Sequence, residues 1–304
     1  MPLNSVQTNT GAATALRALS GAASELATTQ RRLATGLRVG SVRDNGAVWA
    51  VAQSQRGEIL ALGAITTGLR RSESIVDVAI ASGEAIADLL AQMKEKALSA
   101  SDEGLSSASR AMLDQDFRGL RDQVTRVVEA AQFDGANLID YDAEEFQVLA
   151  GLGSTVQTIN EPPRTLKNGK VKAGKSGTFV IRSTITVVPE YLYLGGPQVT
   201  VGSGAALTNA AASKVLVGEI STSIINVGQS LSRLGSSSRQ LARQQDFLAK
   251  VRDGLTKGVG DLVDADIGKE TARLRAMETR QQLNLQSLSI ANDAPKVLLG
   301  LFRS

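Results

Sequence analysis

LGAITTGLRRSESIVDVAIASGEAIADLLAQMKEKA, residues 62 to 97, steps by three and four residues through Leu62, Ile65, Leu69, Ser72, Val76, Ala79, Gly83, Ile86, Leu90, Met93 and Ala97. Only Ser72 and Gly83 interrupt an otherwise apolar line. Alternating 3-4 spacing sustained over this many turns is the narrow seam of a coiled coil, not the broad stripe of a globular helix. At 1.5 Å per residue the stretch predicts a helical rod of roughly 50 Å.

Two further seams lie downstream. One runs Leu113, Phe117, Leu120, Val124, Val127, Ala131; the other runs Ile220, Ile224, Val227, Leu231, Leu234, Ser238, Leu241, Gln245, Leu248, Arg252, Leu255. The N-terminal region repeats the grammar with Leu16, Leu19, Ala23, Leu26, Gln30, Leu33 and Leu37. Near the C-terminus Ile267, Leu274, Met277, Leu285, Leu288 and Ala291 lie close to one helical face. Four of the six prolines (Pro162, Pro163, Pro189, Pro197) cluster in the middle of the chain. Because proline breaks helix interiors, the flanking stretches are free to be long helices.

Residues 141 to 208 interrupt this pattern. They hold nine glycines between 151 and 204 and the β-rich runs TFVIRSTITVV and EYLYL, bounded by Gly and Pro, which predict a small β insertion. The fold class expected is therefore mainly α: long coiled-coil-like helices from both chain ends forming terminal and rod domains, with a small β-rich insertion.

Composition removes several kinds of chemistry. The chain has no cysteine and no histidine, so disulfides, thiol nucleophiles, Cys/His metal sites and the usual neutral-pH base are absent. Aromatics are 3 % of 304 residues, which suits slim helical bundles better than a thick core. A net charge of +3 is too small to gather nucleic acid or lipid. No run of about 18 apolar residues is present to span a membrane. The last eight residues nevertheless crowd together Val297, Leu298, Leu299, Leu301 and Phe302, where chain ends are usually frayed and polar.

Three stretches of text give this pattern a family. ATGLRVGSVRDNGAVWAVAQSQR at 34 to 56, QFDGANLI at 132 to 139 and VDADIGKETARLRAMETRQQLNLQSLSIANDAPKVLLGLF at 263 to 302 resemble, in order, signature segments of bacterial flagellin. DNGAVWAVAQ and LLAQMKEKALSASD are similar to the alphaproteobacterial branch. The resemblance covers roughly residues 1 to 140 and 209 to 304.

It implies a structural subunit that polymerises into the extracellular flagellar filament for swimming, without catalysis, cofactor or metal. Residues 1–44 and 259–304 would form the terminal, filament-core domain. Residues 45–140 and 209–258 would form the rod, and 141–208 a variable surface insertion. The polymerisation residues expected are Leu16, Leu19, Leu26, Leu33, Leu37, Ile267, Leu274, Leu285, Leu288, Ile290, Val297, Leu298, Leu299, Leu301 and Phe302. Each tail side chain buried on assembly contributes roughly 1.5 to 3 kcal/mol, less the entropy of ordering.

The partners implied are further copies of the chain, the flagellar export apparatus, a secretion chaperone, the filament cap and hook-associated proteins. Nucleic acid and membrane are not among them. Export through the flagellar type III route needs no cleaved signal, and MPLNSVQTNTGAATALRA lacks a signal-peptide pattern. The family's Arg-rich rod stretch, recognised by an innate receptor, corresponds to Leu90–Lys96. Here Gln92 stands where Arg is frequent, and Lys94 and Lys96 read as a solvated face. A hook–filament junction protein shares the terminal domains and is the nearest other reading.

Three patterns point elsewhere. GKVKAGKS, residues 169 to 176, fits the phosphate-loop pattern with Lys175 and Ser176 in the functional places, the basis for a P-loop nucleotide-binding enzyme. NEPPRTLKN before it and the strand-like GTFVIRSTITVV after it are the wrong flanks for strand–loop–helix. Arg164, Lys167, Lys170, Lys172, Lys175 and Arg182 form a basic stretch without the interleaved aromatics of single-strand nucleic-acid sites, so it reads as solvated surface. DADIG at 264 to 268 has its glycine one position early for a calcium loop, and Asp264 or Asp266 is expected to cap a helix instead.

Overall fold

The computed structural model describes residues 8–160, 164–165, 171–172 and 176–301, with side chains described outside 154–182 and 295–304. Five long helices dominate it: α1 (Thr10–Thr35), α2 (Gly46–Ala100), α3 (Ser107–Ala130), α4 (Ala210–Val263) and α5 (Ile267–Leu301). Six strands, β1 (Gln132–Phe133), β2 (Ala136–Asn137), β3 (Phe146–Asn160), β4 (Arg164–Thr165), β5 (Val171–Lys172) and β6 (Ser176–Val187), pair as three antiparallel hairpins. The chain divides into two units, residues 1–59 with 253–304 and residues 60–252, so α2 and α4 contribute to both.

In the second unit the seam quoted at the outset is the core line of α2. All eleven of its residues are buried, with Leu69, Val76, Ile86, Leu90, Met93 and Ala97 fully so. Glu73 of α2 accepts a 2.6 Å hydrogen bond from Gln245 of α4, and Lys214 of α4 pairs with Glu103 at 2.8 Å. Between these ties a Cβ added at Gly83 would meet Leu231 Cδ2 at 2.8 Å. The pairing numbers run in opposite directions, so α2 and α4 pack antiparallel. Gly83 interrupts the apolar line where the side chains of Leu231 and Leu192 fill the space a Cβ would take.

The α4 line differs from the one expected by a partial slip. Its innermost residues are Leu216, Ile220, Ser223, Val227, Ser230, Leu234, Leu241 and Leu248, whereas Ile224 and Leu231 are half-buried and Arg252 is exposed. Serines hold the deepest places because their hydroxyls are already satisfied. Ser223 Oγ donates to Glu219 O at 2.8 Å, and Ser230 Oγ accepts from Arg233 at 3.0 Å. A small side chain with a local hydrogen bond costs little to bury and lets a neighbour approach.

Helix α3 folds back on α2 through a loop that ties off the end of α2. Arg110 donates to the carbonyls of Ala100 and Asp102 at 3.1 and 2.8 Å, and Ser106 caps α3 by accepting from the Ser109 N–H. Phe117, Val124 and Val128 are buried along it. Lys96, expected on a solvated face, bridges to Asp116 of α3 at 3.0 Å.

QFDGANLI is the tight turn beyond α3. Asp134 and Gly135 both adopt positive φ, 51° and 77°, as a two-residue β1–β2 hairpin turn requires. Leu138 and Ile139 then enter the core.

The β insertion is narrower than residues 141 to 208. Its sheet is the β3–β6 arm, where Val148, Ala150, Ile185 and Val187 face inward while their neighbours face out. EYLYL is not a strand. Glu190 and Leu192 donate their N–H groups to Leu138 and Ile139 carbonyls at 2.8 and 2.9 Å, an extended packing segment outside any sheet. The following chain is held to the helices by Thr200 N–H to Ser223 Oγ (3.0 Å), Arg121 to Ala205 O (3.0 Å) and Leu207 N–H to Asp114 (2.6 Å). It therefore belongs to the helical core, burying Leu192, Val199, Val201 and Leu207.

A buried charge anchors this segment. Glu190, 4 % exposed, receives both arms of Arg233 at 2.6 Å. Removing only the guanidinium would leave a carboxylate without its counter-charge in the core. Arg233 is itself half-exposed, so solvent offsets part of that cost, and Arg233→Met is expected to destabilise by about 2 kcal/mol. The paired change Glu190→Gln with Arg233→Met should recover at least half of the loss in urea unfolding of the monomer. No recovery would show that the pairing is not what the residues contribute.

Candidate functional site

The first unit is built around the ATGLRVGSVRDNGAVWAVAQSQR segment. Gly36 ends α1 with φ 69°, and the chain then crosses to the end of α4. Arg38 and Val39 donate to Val263 O at 2.7 and 3.2 Å, and Ala265 donates back to Gly36 O at 2.8 Å. Val39, Ala52, Val259 and Val263 form a small core with Leu37, Val48, Trp49, Ile59 and Leu262 around it. The single tryptophan of the chain is placed here.

Asp44 closes the turn by accepting from Gly40 N–H, Ser41 N–H and Ser41 Oγ. The Ser41 hydroxyl, chiefly, holds its carboxyl below the ordinary value of 3.8. With the folded value depressed, this contribution to stability is complete above the ordinary value and is lost as pH falls through the lower, folded one. Asn45 then caps α2, accepting from Val48 N–H at 3.1 Å. Asp266 caps α5, accepting from Lys269 N–H at 3.1 Å, so DADIG is a helix start. Among the described residues no cluster of acids or other ligating groups could hold a metal ion.

Helices α1 and α5 pair antiparallel. Asn9 donates to Ala291 O at 2.7 Å, Asn284 to Ala18 O at 3.1 Å, and Arg32 meets Glu270 at 3.4 Å. The covered line on α1 is Ala12, Ala15, Leu19, Ala22, Leu26, Thr29 and Leu33; on α5 it is Glu270, Leu274, Met277, Gln281, Asn284, Leu288 and Ala291. Apart from Ala22, Thr29 and Glu270, every residue of both lines is only half-buried. Two helices alone cannot cover each other.

Against that geometry the expected polymerisation residues fall into three sets. Leu19, Leu26, Leu33, Leu274 and Leu288 lie along the α1–α5 seam, and Leu37 packs on the small core. Leu16, Ile267, Leu285 and Ile290 are turned outward, 57 %, 47 %, 50 % and 72 % exposed. The side chains of Val297, Leu298, Leu299, Leu301 and Phe302 lie outside the described residues. The sequence reading did not name Leu283, which is also 57 % exposed. Its place on the bare side of α5 follows from the seam spacing once Asn284 and Gln281 are seen to face inward.

The phosphate-loop pattern lacks its architecture. Ser176 opens strand β6 where a phosphate loop needs the N-terminus of a helix. Lys175 and the side chains of the basic stretch lie outside the described residues. Lys175→Ala should leave polymer assembly unchanged, and titration calorimetry with ATP and magnesium should give no heat. Saturable micromolar binding lost in the variant would restore a nucleotide role. Among the described residues no helix is long and apolar enough to cross a membrane.

Comparison with known proteins bears on the whole chain. Residues 6–143 match the bacterial flagellin N-terminal helical region, and residues 217–302 match the bacterial flagellin C-terminal helical region. Flagellin FljO of Caulobacter vibrioides is 40 % identical over 303 residues, covering 100 % of both chains. A flagellin of Brucella melitensis is 28 % identical over 299 residues, covering 98 % of this chain and 99 % of its own. Among solved structures, a putative flagellar hook-associated protein from Vibrio parahaemolyticus is similar with TM-score 0.53, over 73 % of this chain and 100 % of that one. At 13 % identity that last likeness concerns the fold alone.

Proposed function

The chain belongs to the bacterial flagellin family, and we propose that its copies meet on the bare sides of α1 and α5. It is a structural subunit that polymerises into the extracellular filament of the bacterial flagellum. The observation that carries the proposed surface is the set of large apolar side chains left uncovered on a two-helix unit: Leu16, Ile267, Leu283, Leu285 and Ile290. Full burial of each would contribute roughly 1.5 to 3 kcal/mol. The half-buried seam (Leu19, Leu26, Leu33, Leu274, Leu288) is completed by the same event, and the apolar tail from Val297 to Phe302 joins it.

In this reading residues 1–44 and 259–304 supply the filament core, 45–140 and 209–258 the rod with the segment 190–208 packed on it, and the β3–β6 arm the outward insertion. The family supports export by the flagellar apparatus with a chaperone, without a cleaved signal. It likewise supports contact with cap and hook-associated proteins, and the absence of catalysis. The hook–filament junction role has no observation in its favour that the filament role lacks. Seeded polymerisation followed by electron microscopy tests the whole. Long helical filaments are expected, and short caps at hook ends without elongation would favour the junction role.

A further inference from the structure

A cavity of about 700 Å³ opens in the second unit between α2 and the foot of the β3–β6 arm. Its apolar lining includes Ile65, Ile75, Phe146 and Val148. Glu144 and Glu145 line it as well, both exposed and neither with a hydrogen-bond or ion-pair partner among the described residues. The cation nearest in the lining, Arg71, is already held by Asp134 at 2.6 Å. Asp142 adds a third carboxylate and accepts the Tyr141 hydroxyl. The groove is thus a negative mouth over an apolar floor.

The complementary charge is carried by the far end of the same arm. From Pro162 to Pro189 the sequence has no acidic residue, while Arg164, Lys167, Lys170, Lys172 and Lys175 fall in its first part. Within one copy the paired strands separate the two. The paired strands run from Phe146↔Val187 at the foot to Asn160↔Ser176, about 36 Å along β6 at roughly 3.3 Å per residue. The connection between Asn160 and Ser176, going out and back, reaches no more than about 25 Å even if extended. Opposite charges held apart in this way on every copy are free to pair between copies. Groove and tip are different surfaces, so their contact is heterologous and repeats without closing, as a helical polymer requires.

We propose that in the filament the acidic groove at the arm's foot receives the basic arm tip of a neighbouring copy. This rests on the polymer reading above and adds a contact outside the α1–α5 core. Charge pairing over an apolar floor would set the register of neighbouring copies more than it adds raw affinity.

The chain has no cysteine, so cross-linking is clean. Glu145→Cys and Lys172→Cys subunits, mixed and polymerised on seeds under mild oxidation, are expected to give disulfide-linked dimers. The same mixture kept unpolymerised, and Lys172→Cys filaments mixed with Met112→Cys subunits, should give none. Glu144→Lys with Glu145→Lys should lower the temperature at which filaments dissociate, and adding Lys170→Glu with Lys172→Glu should restore it.

Filaments that form without the cross-link would overturn the groove contact and leave the filament reading intact. An intrachain disulfide in dilute monomer carrying both cysteines would make the groove's occupant its own tip, and would overturn it too. So would a combined charge swap less stable than either half. Wild-type protein that never extends seeds would overturn the filament reading itself, and the groove contact with it.

Discussion

Leu285→Asp and Ile290→Asp subunits fold as the unaltered chain does and do not extend filaments. Both side chains are at least half exposed in the single chain, so an added carboxylate meets water in the monomer and costs within about 0.5 kcal/mol there. In the polymer the same carboxylate would be buried against an apolar neighbour without a counter-charge, at a cost of several kcal/mol for every contact. Because each subunit repeats the defect, elongation should stop and not merely slow. Deleting residues 287 to 304 should act the same way, sparing the helical signal of residues 60 to 252 while abolishing growth. Far-UV circular dichroism with seeded elongation reads both halves. Variants that still polymerise, or whose second unit melts as well, would show that these residues serve a core inside one chain.

The second large effect lies inside the subunit. Phe117 is fully buried on α3, and Phe117→Ala should destabilise the monomer by about 3 to 5 kcal/mol through lost contacts and the cavity left behind. Met112, on the same helix but 69 % exposed, is the internal comparison, and Met112→Ala should stay within about 0.5 kcal/mol. Urea unfolding followed by helical signal measures the difference. Equal effects at the two positions would mean that α3 is not held by the face assigned to it. The contrast with the terminal variants separates the two roles, since Phe117→Ala weakens the subunit and Ile290→Asp weakens only its association.

Much of this was legible in the residues. The α2 line from Leu62 to Ala97 is buried at every step, because over ten turns a 3-4 repeat has only one face to offer. The turn at Asp134–Gly135 and the helix start at Asp266 likewise follow from local chemistry that needs no distant partner. What tertiary structure alone decided are the places where a small polar residue outcompeted a large apolar one for the interior. Ser223 and Ser230 displace Ile224 and Leu231 on α4.

Hydrophobicity ranks those choices the wrong way round, since the winner is set by how closely the facing helix approaches. EYLYL has strand composition, yet the hydrogen bonds of Glu190 and Leu192 go to Leu138 and Ile139, and Arg233 draws the Glu190 carboxylate inward. Its state depended on partners 43 to 53 positions away in the chain, at Arg233, Leu138 and Ile139. A local pattern encodes periodicity and turn chemistry, while the identity of the surface packed against it exists only once the chain has folded.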